Sequence, residues 1–344
     1  MAQRPKANLT VTWFIPVAHR DYNRMGASVW IRCLQLLPYL EERGITCLVN
    51  ESDADADIAV FVRSQNEAAY QLAKRQKARG RKIVFDLCVN YFDETETFPG
   101  GYGTGSEQVA EARRMVEVCD VVTCASQNIA DRAKDFHSWV EYVSDSIDLR
   151  HFRYTKSLDD FDRPQIRAIW SGAAQKSYEL GPLLPLLRKR KMELVIITSP
   201  PRPKLRDSFF CFKRKFPYRF TPWTYQSFPE RILDGECCIS CRSLDTPYNK
   251  GHSLFKIGVF MAQGVPALAS PVPSYREAIG TPGQGGRICD SLQAWQNALD
   301  AICEDRQLLK TWSNQSRHAM QKYSTVVVAG QYATLFRKLC STDV

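Results

Sequence analysis

The sequence predicts a two-domain α/β chain, each domain a Rossmann-like parallel sheet, and three observations carry that prediction. At 344 residues with 44% hydrophobic content, the chain exceeds what one core usually encloses. In both halves short apolar runs alternate with stripes of helical period, the rhythm of parallel α/β folds. Between the halves, residues 156–164 are polar and charged and read as a linker. The expected units are residues 1–160, 161–322 and a terminal helix within 323–344.

In the first half, Leu9 to Val17 is a buried strand, and Val29 to Arg43 is a helix closed by Gly44. The intervening Gly26-Ala27-Ser28 is small enough to let backbone approach a ligand. Asp57 to Val62 is the next strand, residues 66–80 a basic helix, and Lys82 to Leu87 a third strand. Open α/β sheets place their chemistry at strand ends, which makes Asp86, Asn90 and Tyr91 candidates. Asp86 reads equally as a buried carboxylate that ties down the loop. Phe98 to Ser106 is a glycine-rich lid or acceptor loop, without the strand and helix flanks of a dinucleotide fingerprint. Helix 107–118, strand 121–124, helix 127–136 and strand 140–143 complete the domain.

In the second half, Ile166 to Trp170 is a strand that runs into Ser171-Gly172-Ala173-Ala174-Gln175-Lys176. Leu194 to Thr198 and Cys237 to Cys241 are further strands. Ser253 is placed to cap a short apolar helix that Gly264 ends, with Pro266 following. The amides at that helix start suit an anion, and Lys250, His252 and Lys256 add donors suited to a diphosphate. Val265 to Ser270 is a covered parallel strand, followed by a loop through Ile279. Leu292 to Ile302 and Ser324 to Leu339 are amphipathic helices.

These motifs, taken in order, resemble GT-B-fold glycosyltransferases of the large retaining class that uses nucleotide sugars. Ser28, Arg32, Gln35, Pro38, Tyr39, Leu40, Gly44 and Ile45 match the family's N-terminal helix. Lys256, Met261, Ala262, Gly264, Pro266, Ser270, Glu277 and Ile279 match its C-terminal signature. The resemblance implies two domains facing a central cleft, with the last helix crossing back to the first domain. It implies transfer from a nucleotide-diphosphate sugar to a glycan, lipid-linked or small-molecule acceptor, with retention, no required metal and no further cofactor.

Residue by residue, Gly172 and Lys176 match the turn whose lysine binds the donor diphosphate, and Lys256 joins it there. Ser253 and Lys250 belong to the same phosphate-binding mouth. Trp223 either stacks on the donor base or packs in the core, and Arg32 either reaches a phosphate or acceptor or makes a salt bridge. Asp86 and Asn90 are the acceptor-side catalytic candidates. The chain departs from the family where two glutamates are replaced by Gly251 and Val259, and an arginine by Ala173. Those departures motivate a second expectation, a non-catalytic partner or nucleotide-sugar-binding subunit.

The formal charge of +9 favours anionic partners. One basic cluster spans Lys74 to Lys82, and another spans Lys204 to Arg219, interleaved with aromatics. Each reads as a solvated face or as a dock for an anionic membrane or phosphate-bearing acceptor. No nucleic-acid motif accompanies them, so nucleic acid is not an expected partner. The twelve cysteines are scattered, and Cys237, Cys238 and Cys241 lack a second pair at zinc spacing, so they read as buried strand residues. With no apolar run of about 18 residues and no secretory start, a cytoplasmic protein is expected, peripheral at most at the inner membrane face.

Overall fold

The computed structural model describes residues 8–16, 21–95, 103–199, 216–280 and 284–341. Among them, six strands form a first sheet: β1 (Leu9–Phe14), β2 (Ile45–Val49), β3 (Ile58–Val62), β4 (Lys82–Leu87), β5 (Val121–Cys124) and β6 (Val140–Tyr142). Six more form a second: β7 (Arg167–Ser171), β8 (Glu193–Thr198), β9 (Arg219–Pro222), β10 (Cys237–Ser240), β11 (Ala267–Ala269) and β12 (Gly286–Ile288). The spatial orders are β2-β1-β3-β4-β5-β6 and β12-β11-β10-β7-β8-β9, with each neighbouring pair parallel. Both orders reverse beside their first strand, which opens a crevice at the carboxyl ends.

Strand β3 is apolar throughout because both of its faces are covered. Ile58, Ala59, Val60, Phe61 and Val62 are all fully buried. The Thr325–Ser341 helix lays Val328, Tyr332, Phe336 and Leu339 into the core of the first domain, where Trp13 meets Tyr332 and Phe336 edge-on. Two Rossmann-like sheets with the last helix crossing back form the GT-B arrangement that the resemblance implies.

Several elements differ from expectation. The helix expected over 29–43 is three pieces, Ala27–Val29, a π-helical turn Trp30–Leu34 and Leu37–Glu41. Pro38 lacks the amide that would carry the ladder through. The segment read as a linker is packed: Phe161 is buried, and the Lys156 ammonium pairs with Glu236 at 3.2 Å. The loop expected before Ile279 contains the Pro273–Ile279 helix, with proline in its first turn, where a missing N–H costs nothing. Strands β2 and β12 and the Arg306–Met320 helix were not expected at all.

Of the three clustered cysteines, Cys237 and Cys238 are buried in β10 as expected, whereas Cys241 is half-buried just past its end. In the first basic cluster Lys77 pairs with Asp120 at 3.1 Å and Arg79 with Asp53 at 3.2 Å, an ordinary charged helix face. The glycine-rich loop over 98–102 and the basic, aromatic residues 204–215 lie outside the described residues. No described helix is long and apolar enough to cross a membrane.

Candidate functional site

A cleft of about 730 Å³ is walled by both domains. Its lining residues follow strand ends: Arg63 follows β3, Cys88 and Val89 follow β4, Gly172 follows β7, Ser199 follows β8 and Arg242 stands just past β10. The expected small-residue loop Gly26-Ala27-Ser28 is also in the wall. Gly172 is required by packing, because a Cβ there would stand 2.7 Å from the Trp170 ring.

The second-domain wall concentrates positive charge. Lys176 donates to the Tyr248 hydroxyl at 3.4 Å and lies 5.0 Å from that ring's centre. Lys256 sits 4.7 Å over Trp170 and pairs with Glu179 at 3.5 Å. Arg242 pairs with the same glutamate at 3.3 Å and reaches Tyr275 and Asn249. Arg242 and Lys256 thus share one carboxylate, with Lys176 a third cation in the same wall. Burial, then Arg242 and Lys256, push Lys176 down to about 7. Burial and Arg242, against the pull of Glu179, push Lys256 down to about 8. Burial and all three cations hold His252 well below its usual value, and its Nε2 is buried without a hydrogen-bond partner. Burial and mutual repulsion both work against the charged forms, and an anion bound at this wall would favour them.

On the first-domain side the charges are balanced instead. Arg32 grips Asp86 bidentately, Nε to Oδ1 at 2.9 Å and Nη2 to Oδ2 at 2.8 Å, and reaches Asp145 at 3.3 Å. Thr123 and Tyr332 donate their hydroxyls to Asp86 as well. Burial alone would lower Arg32, but Asp86, Tyr332 and Asp145 outweigh it and hold it well above its usual value. Of the two readings of Arg32, the salt bridge is the one formed.

The geometry places the two catalytic candidates away from the cleft surface. The Asp86 carboxylate is 1% exposed, with both oxygens engaged, and it does not line the cleft. Asn90 is equally buried. It donates to Asp93 at 2.9 Å, accepts the Phe92 amide at 2.9 Å, and holds its loop rather than facing a substrate.

Ser253 lines the cleft but does not cap the Phe255–Ala262 helix, whose N-cap is Leu254. Its hydroxyl donates instead to Asp145, linking the two domains. Lys250 is exposed on the short Pro247–Lys250 turn and is not among the lining residues. Trp223 is half-buried, tilted 6.1 Å from Phe228, with part of its surface in the cleft wall, so packing and access to a ligand coexist there.

Of the two positions that lack glutamates, Val259 lines the cleft. Gly251 is closed off by the first domain: a Cβ would meet Ile129 at 3.2 Å, and its carbonyl accepts the Ser126 hydroxyl at 2.9 Å. Glu277, matched to the family signature, accepts from Tyr142 at 3.1 Å and Tyr323 at 2.9 Å and serves as a latch between elements.

Sequence reading missed Arg242, Glu179 and Arg63. Arg242 and Arg63 each stand just beyond the end of a buried strand, and that position was the signal available.

No protein-family model and no curated protein matches the sequence. Solved structures do share the fold. Sucrose-phosphate synthase from Thermosynechococcus elongatus aligns at a TM-score of 0.69 and 14% identity, over 96% of this chain and 99% of that one. Anabaena HepE, in complex with UDP and glucose, aligns at 0.68 and 12%, over 95% and 99%. AviGT4, a glycosyltransferase involved in avilamycin A biosynthesis, aligns at 0.60 and 12%, over 96% and 98%. Identities this low carry the GT-B fold and nothing finer.

Proposed function

We propose that this chain is a glycosyltransferase that moves a sugar from a nucleotide-diphosphate sugar to a glycan, lipid-linked or small-molecule acceptor bound on the first-domain side. The observation that carries the reading is Arg242 and Lys256 sharing the one carboxylate of Glu179, with Lys176 beside them in the cleft wall. A diphosphate adds negative charge there, and its binding returns both lysines to full protonation. As the sugar–phosphate bond breaks, charge grows on the leaving oxygen. Fixed cations that need no reorganisation stabilise it there. UDP bound to HepE supports the same class of donor here.

The same side chains meet the charge that a divalent cation would otherwise meet, so transfer without a required metal is part of the proposal. Retention is part of the proposal on the ground of the resemblance alone.

The test is release of nucleoside diphosphate from a panel of nucleotide hexoses, with the anomeric configuration of the product read by NMR. Release above background with one donor, persisting in EDTA, is expected. A second reading, a nucleotide-sugar-binding subunit without turnover, is favoured by the closed position at Gly251 and the apolar Val259. It predicts no release with any donor while nucleoside diphosphate still raises Tm. A ligand at 100 times its Kd adds about 2.7 kcal/mol.

A further inference from the structure

The first-domain wall of the cleft carries one cation of its own, Arg63, and its setting differs from that of every arginine described above. It follows β3 directly, and its backbone is left-handed, with a φ of 52°. That conformation is uncommon for a residue with a side chain, and such strain persists where the surroundings hold it for a purpose. The guanidinium leans over Gly26, where a Cβ would lie 2.7 Å from Nη1, so the glycine makes room for it. Nη1 donates to the Ser28 hydroxyl at 3.4 Å, and the guanidinium also donates to the Tyr91 hydroxyl oxygen.

No carboxylate among the described residues pairs with Arg63, although Arg32, Arg132, Arg167 and Arg242 all have one. The side chain remains exposed in the cleft. It is therefore oriented by neutral hydroxyls and accessible to a ligand.

We propose that Arg63, with Ser28 and Tyr91, forms an anion subsite that selects an acceptor bearing a phosphomonoester. The inference rests on the glycosyltransferase reading, which places the acceptor against this wall. A planar guanidinium beside two hydroxyls fits phosphate oxygens bidentately, with the hydroxyls able to turn their protons outward. The donor diphosphate already has three cations on the opposite wall, where Tyr248 meets Lys176. A cation belonging to the other domain thus addresses the other substrate.

The full chain is tested by thermal shift, first with a nucleoside diphosphate alone and then at saturating diphosphate with added glucose 6-phosphate, inorganic phosphate or glucose. Glucose 6-phosphate is expected to raise Tm further, inorganic phosphate to do so in part and glucose not at all. Arg63→Ala should weaken the affinity for glucose 6-phosphate about ten- to a hundredfold, as loss of charge-assisted hydrogen bonds does. Arg63→Lys should restore part of it, and both variants should keep the diphosphate shift.

Glucose acting as well as its phosphate, or no added shift in the wild type at 20 mM ligand, about a hundred times a Kd typical of a metabolite site, overturns the subsite. A diphosphate shift lost in Arg63→Ala also overturns it, by assigning the arginine to the donor. If the nucleoside diphosphate itself produces no shift in the wild type, the donor reading fails separately, while the response to glucose 6-phosphate still decides the role of Arg63.

Discussion

Two buried charge clusters lie on opposite sides of the same cleft, and they are built to opposite rules. Around Arg32, two carboxylates, a carbonyl and a tyrosine hydroxyl account for the guanidinium's donors, and Asp86 has both oxygens occupied. Around Lys256, two cations share Glu179 with Lys176 beside them, and both lysines sit well below their usual values. A closed cluster is complete without a ligand and holds the fold. An open one is complete only when an anion arrives. Burial alone does not separate structural charge from functional charge, but local neutrality does.

The sharpest way to break this comparison is to remove charge from each cluster in turn and watch stability and turnover separate. Lys176→Met should lower the rate of donor turnover by about 10²–10³, the scale for losing one fixed electrostatic contact to a leaving group. Its Tm should hold or rise, because a desolvated ammonium repelled by Arg242 and Lys256 has gone. A Tm loss with unchanged turnover would make the lysine structural. Asp86→Ala should do the reverse and cost about 3–5 kcal/mol, since it strands the Arg32 guanidinium without its bidentate partner. Chemical denaturation measures that. A folded, stable Asp86→Ala that had lost turnover would return the aspartate to catalysis.

The sequence separates the two clusters poorly, for a physical reason. A strand-end aspartate looks the same whether it opens on a cleft or is sealed by an arginine 54 positions earlier. The lysines were recoverable because a strand-to-helix turn and a helix start are local features. Arg242 and Arg63 escaped because their significance lies in what surrounds them in space.

The fold divides similarly. Strands β4 and β5 were located to the residue because both faces are covered and the run is mostly apolar. Strand β2, at a sheet edge and mostly half-buried, carries no such run. The Arg306–Met320 helix hides its period by burying Ser313 and Ser316 beside Leu309, Trp312 and Met320.

A smaller effect, but one that reads the open cluster directly, is its response to pH. Lysines near 7 and 8 in the unliganded protein must be protonated to hold a diphosphate. Nucleoside diphosphate affinity should therefore fall as pH rises through 7 to 9, by up to about tenfold per unit for each lysine that takes up a proton.

For the unliganded protein the sign is opposite. Both values lie below those of the unfolded chain, which binds more protons across that window, so these groups make stability rise with pH from about 7 toward 10. Calorimetry in buffers of different ionisation enthalpy at pH 8.5 should show net proton uptake on binding. Lys176→Met should reduce that uptake, and Arg63→Ala should leave it alone. If binding at pH 8.5 proceeds without proton exchange, the lysines are already charged without a ligand, and the open cluster is as well balanced as the one around Arg32.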